Sequence, residues 1–264
     1  MSIRNGRIAV AGATGRVGRH VVRALARERI ETTSISRSHG CDLISGEGLA
    51  GALAGATAII DAATGESPDQ TEATAFFTQA AANLHREGVE AGVKRILSIS
   101  IIGTDAFTAG YGVAKQRHEE AILGGPIQAR VVRASQFHEF IPLLVAWGRQ
   151  GDVSSLQKTR TQPIAARSLA ETLVEIVTAD WSTSPEPIME VAGPREEDLA
   201  ALAKLWVEKT DQPVTIETVS KQDDPDFHLH ESGALLPGAN ARLVGPTFEE
   251  WLQSDDVGTV DSHA

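Results

Sequence analysis

Tyr111 and Lys115, in the stretch YGVAK, stand four residues apart and would share one face of a helix. A phenol titrates near pH ~10, and a neighbouring ammonium draws it toward the range useful for proton transfer. Tyr111 is the only tyrosine in the chain, so no second phenol is present to substitute for it. Ser100 closes the apolar run ILSIS eleven residues earlier. That run reads as a strand, and open α/β sheets gather ligands at the carboxyl ends of their strands. Ser100, Tyr111 and Lys115 therefore form a candidate acid–base group acting on a bound small molecule.

A second constellation would hold a polyanion beside them. GATGRVG runs from Gly12 through Ala13, Thr14, Gly15, Arg16 and Val17 to Gly18, between the strand-like RIAVA and a helical pattern. Glycines at this spacing permit a tight turn, close approach of backbone to a pyrophosphate, and close helix–strand packing. The pyrophosphate would sit on free N–H groups at the positive end of the helix. After the next strand, an NAD site carries an acid for the ribose 2′-hydroxyl, whereas a 2′-phosphate is met by arginine. Here the strand ends SISRSHG, with Arg37 and no acid at its tip. This predicts NADP(H) in preference to NAD(H), with NAD(H) still admissible, and Arg16 is a second candidate cation.

Other residues are weaker candidates. His228 and His230 in FHLHE would lie on one face of an extended segment, but third and fourth ligands are missing, so no metal is expected. That segment reads better as lining a substrate mouth. His138 is either a substrate contact or a hydrogen-bonded structural histidine. Phe137, Phe140, Leu143 and Trp147 suit a pocket wall or a helix core equally, and Phe76 with Phe77 reads as core.

These residues need elements to position them. RIAVA, TTSIS, ATAIID, RILSIS and QARVVRA are short apolar runs alternating with helical patterns, the longest from about Asp69 to Ala91. In that helix Phe76, Ala80 and Leu84 form a stripe with Phe77 and Ala81 beside it. Such alternation implies a parallel sheet covered on both faces, with right-handed crossovers. Beyond about residue 150 the alternation weakens to PIAARSLAETLVEIVTA, a strand PIMEVAG, an amphipathic helix with Leu199, Leu202, Ala203 and Trp206 apolar, and a short FEEWL helix. Residues 222–240 read as polar and irregular. The expected organisation is a dinucleotide-binding body over 1–150, remaining sheet elements with a small substrate lobe over 151–253, and a frayed acidic tail over 254–264.

Composition excludes whole classes. With 264 residues, 42% hydrophobic and 22% charged, the chain is an ordinary globular protein large enough to fold without staples. A formal charge of −11 disfavours nucleic acid, whose binding rests on Lys and Arg. One cysteine, Cys41, forms no internal disulfide and fits a reducing compartment. No apolar run approaches the ~18 residues of a membrane span. With no signal-peptide pattern at the N-terminus, a cytoplasmic protein is expected. Oligomeric state is not legible.

GATGRVG, CDL, DAATG, GVKRILSIS and YGVAK together resemble the short-chain dehydrogenase/reductase superfamily. SISIIGTD, YGVAKQRHE and VVRASQFHEF are similar, more narrowly, to its atypical NmrA-like branch, which includes NAD(P)H-dependent quinone and triphenylmethane-dye reductases. The resemblance spans roughly residues 6–195, with an echo in GPTFEEWL. It implies a Rossmann-type doubly wound α/β fold with a small C-terminal α+β lobe. It also implies Asp42 near the adenine, Ala62 and Ala63 along the cofactor cleft, and Ala134, Ser135 and Phe137 beside the nicotinamide. Ser100 would polarise a substrate carbonyl, Tyr111 would donate the proton, and Lys115 would bind the nicotinamide ribose and lower the phenol pKa. The function so implied is NADP(H)-dependent hydride transfer to a carbonyl or quinone-like small molecule. An alternative is a redox-sensing regulator that binds NAD(P) and a protein partner without turnover. Third comes a nucleotide-sugar epimerase, ranked last because its substrate lobe usually needs more chain than follows residue 150.

Overall fold

The computed structural model describes residues 6–183 and 186–259. The first half follows the expected alternation closely: β1 (Arg7–Ala11), α1 (Gly18–Arg27), β2 (Thr32–Ile35), α2 (Leu49–Leu53), β3 (Ala56–Asp61), α3 (Gln70–Ala91), β4 (Arg95–Ile101), α4 (Gly110–Leu123) and β5 (Gln128–Ala134). The second half adds α5 (Phe140–Trp147), β6 (Arg149–Gln150), β7 (Val153–Gln157), β8 (Arg160–Thr161), α6 (Ala166–Thr178), β9 (Ile188–Ala192) and β10 (Glu197–Asp198). It ends with α7 (Leu199–Lys209), β11 (Thr215–Val219), α8 (Phe227–Ser232), β12 (Arg242–Leu243) and α9 (Phe248–Trp251).

Seven strands form one sheet in the order β12-β9-β5-β4-β3-β1-β2, every neighbouring pair parallel. Ile8, Ala9, Val10 and Ala11 are fully buried, because a parallel sheet is covered on both faces and its strands alternate only between two interiors. One interior joins Val21 and Leu25 of α1 to Leu169, Leu173 and Val177 of α6. The other joins Leu49 and Leu53 of α2 to Ala81 and Leu84 of α3 and Ile122 of α4. The chain steps from β1 to β2 on one side and returns to β3 on the other. The β1/β3 boundary is thus the switch point, where the connections diverge and leave a crevice beyond the strand ends. This is a Rossmann-like α/β fold.

The smaller sheets, β11-β7-β6 and β10-β8, lie outside the main one. Around them Ile141, Val145, Leu156, Leu199, Leu202, Phe248 and Trp251 make a third apolar cluster. A reciprocal capping box between Thr247 and Glu250 starts α9.

Three sequence expectations change here. FHLHE is not extended but forms α8, so His228 and His230 point to different sides of a helix. His230 is directed at Thr159, its Nδ1 3.2 Å from the hydroxyl, and edge-on to Phe107. In α3 the buried stripe runs through Ala73, Phe77, Ala80, Ala81 and Leu84, while Phe76 is half-buried. In α7 the apolar face is as expected, with Leu199, Leu202 and Ala203 buried in the third cluster and Trp206 half-buried against it. The tail begins later than expected: Asp255–Thr259 form a 3₁₀ turn, with Asp256 3.6 Å from Arg167 and Val257 against the third cluster. Residues 260–264 of that tail lie outside the described residues. Among the described residues no group of acids, histidines and cysteine could hold a metal, and no helix is long and apolar enough to cross a membrane.

Candidate active site

The glycine loop leaves β1 at the switch point, and its conformation explains its composition. Gly12 has φ +70°, and a Cβ there would lie 2.7 Å from the Ala62 carbonyl oxygen and 2.8 Å from the Ala63 Cα. A Cβ on Gly18 would lie 2.0 Å from the Gly12 carbonyl oxygen. The loop is therefore folded on itself and pressed against the chain leaving β3. Ala13 and Val17 are buried in the α1-side core, whereas Thr14 and Gly15 face outward. They border a cleft of about 710 Å³, whose walls include Gly12, Arg37, Asp42, Ala62, Ala63 and Phe76. A loop stripped of side chains at a helix N-terminus, facing an open cleft, fits a dinucleotide pyrophosphate.

At the far end of the cleft Arg37 forms an ion pair with Glu66, Nη1 to Oε1 2.6 Å. Asp42 accepts from the N–H groups of Ile44 and Ser45 at 2.7 and 2.8 Å, and these bonds hold its carboxyl below the ordinary range. Arg16 does not line this cleft. Its guanidinium lies over the Phe140 ring, 4.8 Å from the centroid.

The acid–base trio is placed differently from the expectation. Tyr111 projects from the first turn of α4 and its hydroxyl lies 3.1 Å from that of Thr64, a cleft residue. Its ring meets Phe77 edge-on at 5.8 Å. Burial pushes the phenol pKa up, only partly opposed by the bond to Thr64. Lys115 does not lower it, because the ammonium turns inward, donating to the Ile99 carbonyl at 2.7 Å and to His118 Nδ1 at 2.8 Å. Ser100 is 1% exposed, its hydroxyl 3.4 Å from that of Thr104. Among the described residues no hydrogen bond joins Ser100, Tyr111 and Lys115.

Behind Tyr111 lies a buried polar chain that the spacing of residues does not announce. His118 Nε2–H donates to Asp61 Oδ2 at 2.9 Å, the tautomer that lets Nδ1 accept from Lys115. Ser98 donates to the same oxygen at 3.1 Å, and the Ala63 N–H donates to Oδ1 at 3.1 Å. Phe77 floors the group, stacked on His118 at 4.5 Å and 4.3 Å below the Lys115 ammonium. Burial lowers Lys115 to about 8, with the charges of Asp61 and Glu119 opposing the shift. Burial would raise Asp61, but the His118 bond and the Lys115 charge outweigh it and hold the carboxyl below its usual range. Burial and Lys115 together lower His118, so the imidazole is neutral. The histidine was visible in YGVAKQRHE and the aspartate in ATAIID. A separation of 57 residues kept their pairing out of any local pattern.

Downstream of β5, Ala134 and Ser135 are buried, and the Ser135 hydroxyl donates to the Gln162 carbonyl at 2.6 Å. Phe137 is half-buried and stacked on Phe140 at 6.1 Å, and Phe140 meets the exposed Trp147 edge-on at 6.2 Å. Leu143 is core. His138 is structural: it is 1% exposed, donates from Nε2 to the Pro246 carbonyl at 3.1 Å, and is pushed down to about 4 by burial. The bidentate pair of Arg133 with Glu119, 3.0 and 2.9 Å, locks β5 to α4.

A parallel doubly wound sheet with a glycine loop at its switch point defines a dinucleotide-binding α/β protein. The chain belongs to the NAD dependent epimerase/dehydratase family, whose model matches residues 8–156. No curated protein matches the sequence. Solved structures of similar fold include a nucleoside-diphosphate-sugar epimerase from Staphylococcus aureus, 16% identical with a TM-score of 0.66, covering 94% of this chain and 100% of that one. The dTDP-4-dehydrorhamnose reductase of Bacillus anthracis in complex with NADP is 18% identical with a TM-score of 0.69, covering 97% and 100%. The Bordetella bronchiseptica enzyme WbmH in complex with NAD+ is 14% identical with a TM-score of 0.64, covering 94% and 91%. The length argument against a nucleotide-sugar enzyme does not stand, since the Staphylococcus protein is covered over its full length.

Proposed function

We propose that the chain is an NAD(P)H-dependent reductase that delivers hydride to a carbonyl or quinone-like small molecule. The observation that carries this reading is the Tyr111 phenol, held 3.1 Å from the hydroxyl of Thr64 at the cleft. An un-ionised phenol can protonate the oxygen of a carbonyl as it is reduced, although burial makes this one a weaker acid than an ordinary phenol. Oxidising an alcohol would instead call for a phenolate. When bound, the nicotinamide cofactor supplies the hydride.

The chain's own residues do the rest. The glycine loop receives the pyrophosphate, Arg37 and its neighbours the adenosine ribose. Lys115 has two of its three protons engaged in the interior and is off the cleft wall, so it offers the third to the nicotinamide ribose only when its side chain turns outward. Ala134, Ser135 and Phe137 border the nicotinamide side. Ser100, buried beside Thr104, steadies the end of β4 and reaches a carbonyl only if that end opens. Placement near the NmrA-like reductases rests on SISIIGTD, YGVAKQRHE and VVRASQFHEF. A nucleotide sugar is the second substrate class, favoured by the full-length likeness to the Staphylococcus and Bacillus enzymes.

The deciding experiment follows NADPH oxidation across quinones, aldehydes, ketones, dyes and nucleoside-diphosphate sugars. Turnover with a carbonyl or quinone, abolished in Tyr111→Phe without loss of NADPH affinity, is the expected result. Turnover confined to nucleotide sugars moves the assignment to the second class. Tight cofactor binding with no turnover at all moves it to an NAD(P)-binding regulator.

A further inference from the structure

Among the described residues lining the cleft, Arg37 is the only lysine or arginine, and three carboxylates, Asp42, Glu66 and Glu72, share the walls with it. Arg37 stands where dinucleotide-binding folds commonly place an acid at the end of the second strand. Here an acid does reach that place, but from the opposite wall: Glu66, in the turn after β3, meets Arg37 at 2.6 Å. Asp42 is no substitute, because its carboxylate is committed to the N–H groups of its own loop.

We propose that Glu66 and Arg37 together set the dinucleotide preference: Glu66 accepts the 2′-hydroxyl of NAD(H), and Arg37, released from Glu66, takes the 2′-phosphate of NADP(H). This rests on the dinucleotide-binding reading above. Both side chains are well exposed, 75% and 79%, and an exposed ion pair is held weakly, so a phosphate dianion can displace the carboxylate. The displaced carboxylate still faces the phosphate and opposes it. Polar groups beside Arg37 are already gathered: the Ser36 hydroxyl lies 3.0 Å from that of Ser38 and 2.7 Å from His39 Nδ1. Arginine alone would predict a strong NADP(H) preference. Arginine answered by glutamate predicts a shallow one, with both cofactors bound.

Equilibrium titration of the full chain with NADPH and with NADH, read by nicotinamide fluorescence, tests this without needing an acceptor. Glu66 is exposed and carries no packing, so Glu66→Gln folds. In that variant NADPH should bind about fivefold or more tightly, and NADH more weakly. Arg37→Ala should lose NADPH affinity and keep NADH. A Glu66→Gln variant whose two affinities stay fixed, or move together, overturns the inference while leaving cofactor binding intact. Wild-type protein that binds neither cofactor overturns the dinucleotide reading and this inference with it.

Discussion

Asp61, the first residue of DAATG, supports both the cleft wall and the buried polar chain, through contacts that the motif itself does not reveal. One oxygen holds the Ala63 N–H, part of the wall against the glycine loop; the other anchors His118, and through it Lys115. Asp61 is thereby a positioning residue for the cleft wall and for the ammonium at once. Asp61→Asn keeps the size of the side chain, turns one acceptor oxygen into a donor, and removes a charge that supports the Lys115 ammonium. Glu119 remains as a second counter-charge, so losing Asp61 from beside the buried ammonium costs up to about 3 kcal/mol. The sign at Lys115 follows: with its folded pKa already lowered to about 8, the folded state releases this proton before the unfolded chain does. Stability from this group thus rises with pH above about 8. Without Asp61 the pKa falls further. If the Lys115 ammonium binds the ribose, NADPH affinity in the wild type should decline as pH rises through about 8. In Asp61→Asn that decline should begin at lower pH, and an unmoved profile would show that the Asp61 charge does not act on Lys115.

At the scale of elements, the loop between β1 and α1 sets two effects against each other. Alanine is a better helix former than glycine by up to about 1 kcal/mol, so Gly18→Ala at the start of α1 should stabilise on propensity alone. The Cβ would, however, sit 2.0 Å from the Gly12 oxygen and 2.7 Å from its carbon, a backbone overlap that no rotamer relieves. Overlap should win: the melting temperature falls and NADPH affinity drops about tenfold or more, since the loop that cradles the pyrophosphate must move. A higher melting temperature with unchanged affinity would refute this. The same loop shows what was legible beforehand. Strand–loop–helix units β1 to β5 were readable because each is a local apolar run with a turn beside it. The Arg37–Glu66 and Asp61–His118 contacts were not, because they join residues 29 and 57 positions apart across the sheet. α8 departs from the expected extended segment because FHLHE is too short for periodicity to separate helix from strand.

Over the whole molecule, the acid excess is not evenly spread. Residues 1–134 contain 15 basic and 13 acidic side chains; residues 135–264 contain 9 and 22. The cofactor half is thus nearly neutral and the half that supplies the smaller sheets strongly acidic. Of the five arginines after residue 134, four are paired with glutamate: Arg160 with Glu196, Arg167 with Glu171, Arg195 with Glu197 and Arg242 with Glu175. The fifth, Arg149, donates to the carbonyls of Gly151 and Pro213. A field of this sign slows the approach of anionic substrates and is screened by salt. The Debye length falls from ~30 Å at ~0.01 M to ~8 Å at ~0.15 M ionic strength. With NADPH saturating, kcat/KM for a sulfonated quinone should rise several-fold over that range. The value for its uncharged parent should stay level. A nucleoside-diphosphate sugar, which is also an anion, should follow the sulfonated compound. An anionic acceptor that instead loses activity as salt is added would mean that the acidic half presents a local cationic site, and would favour the nucleotide-sugar class over the neutral carbonyl.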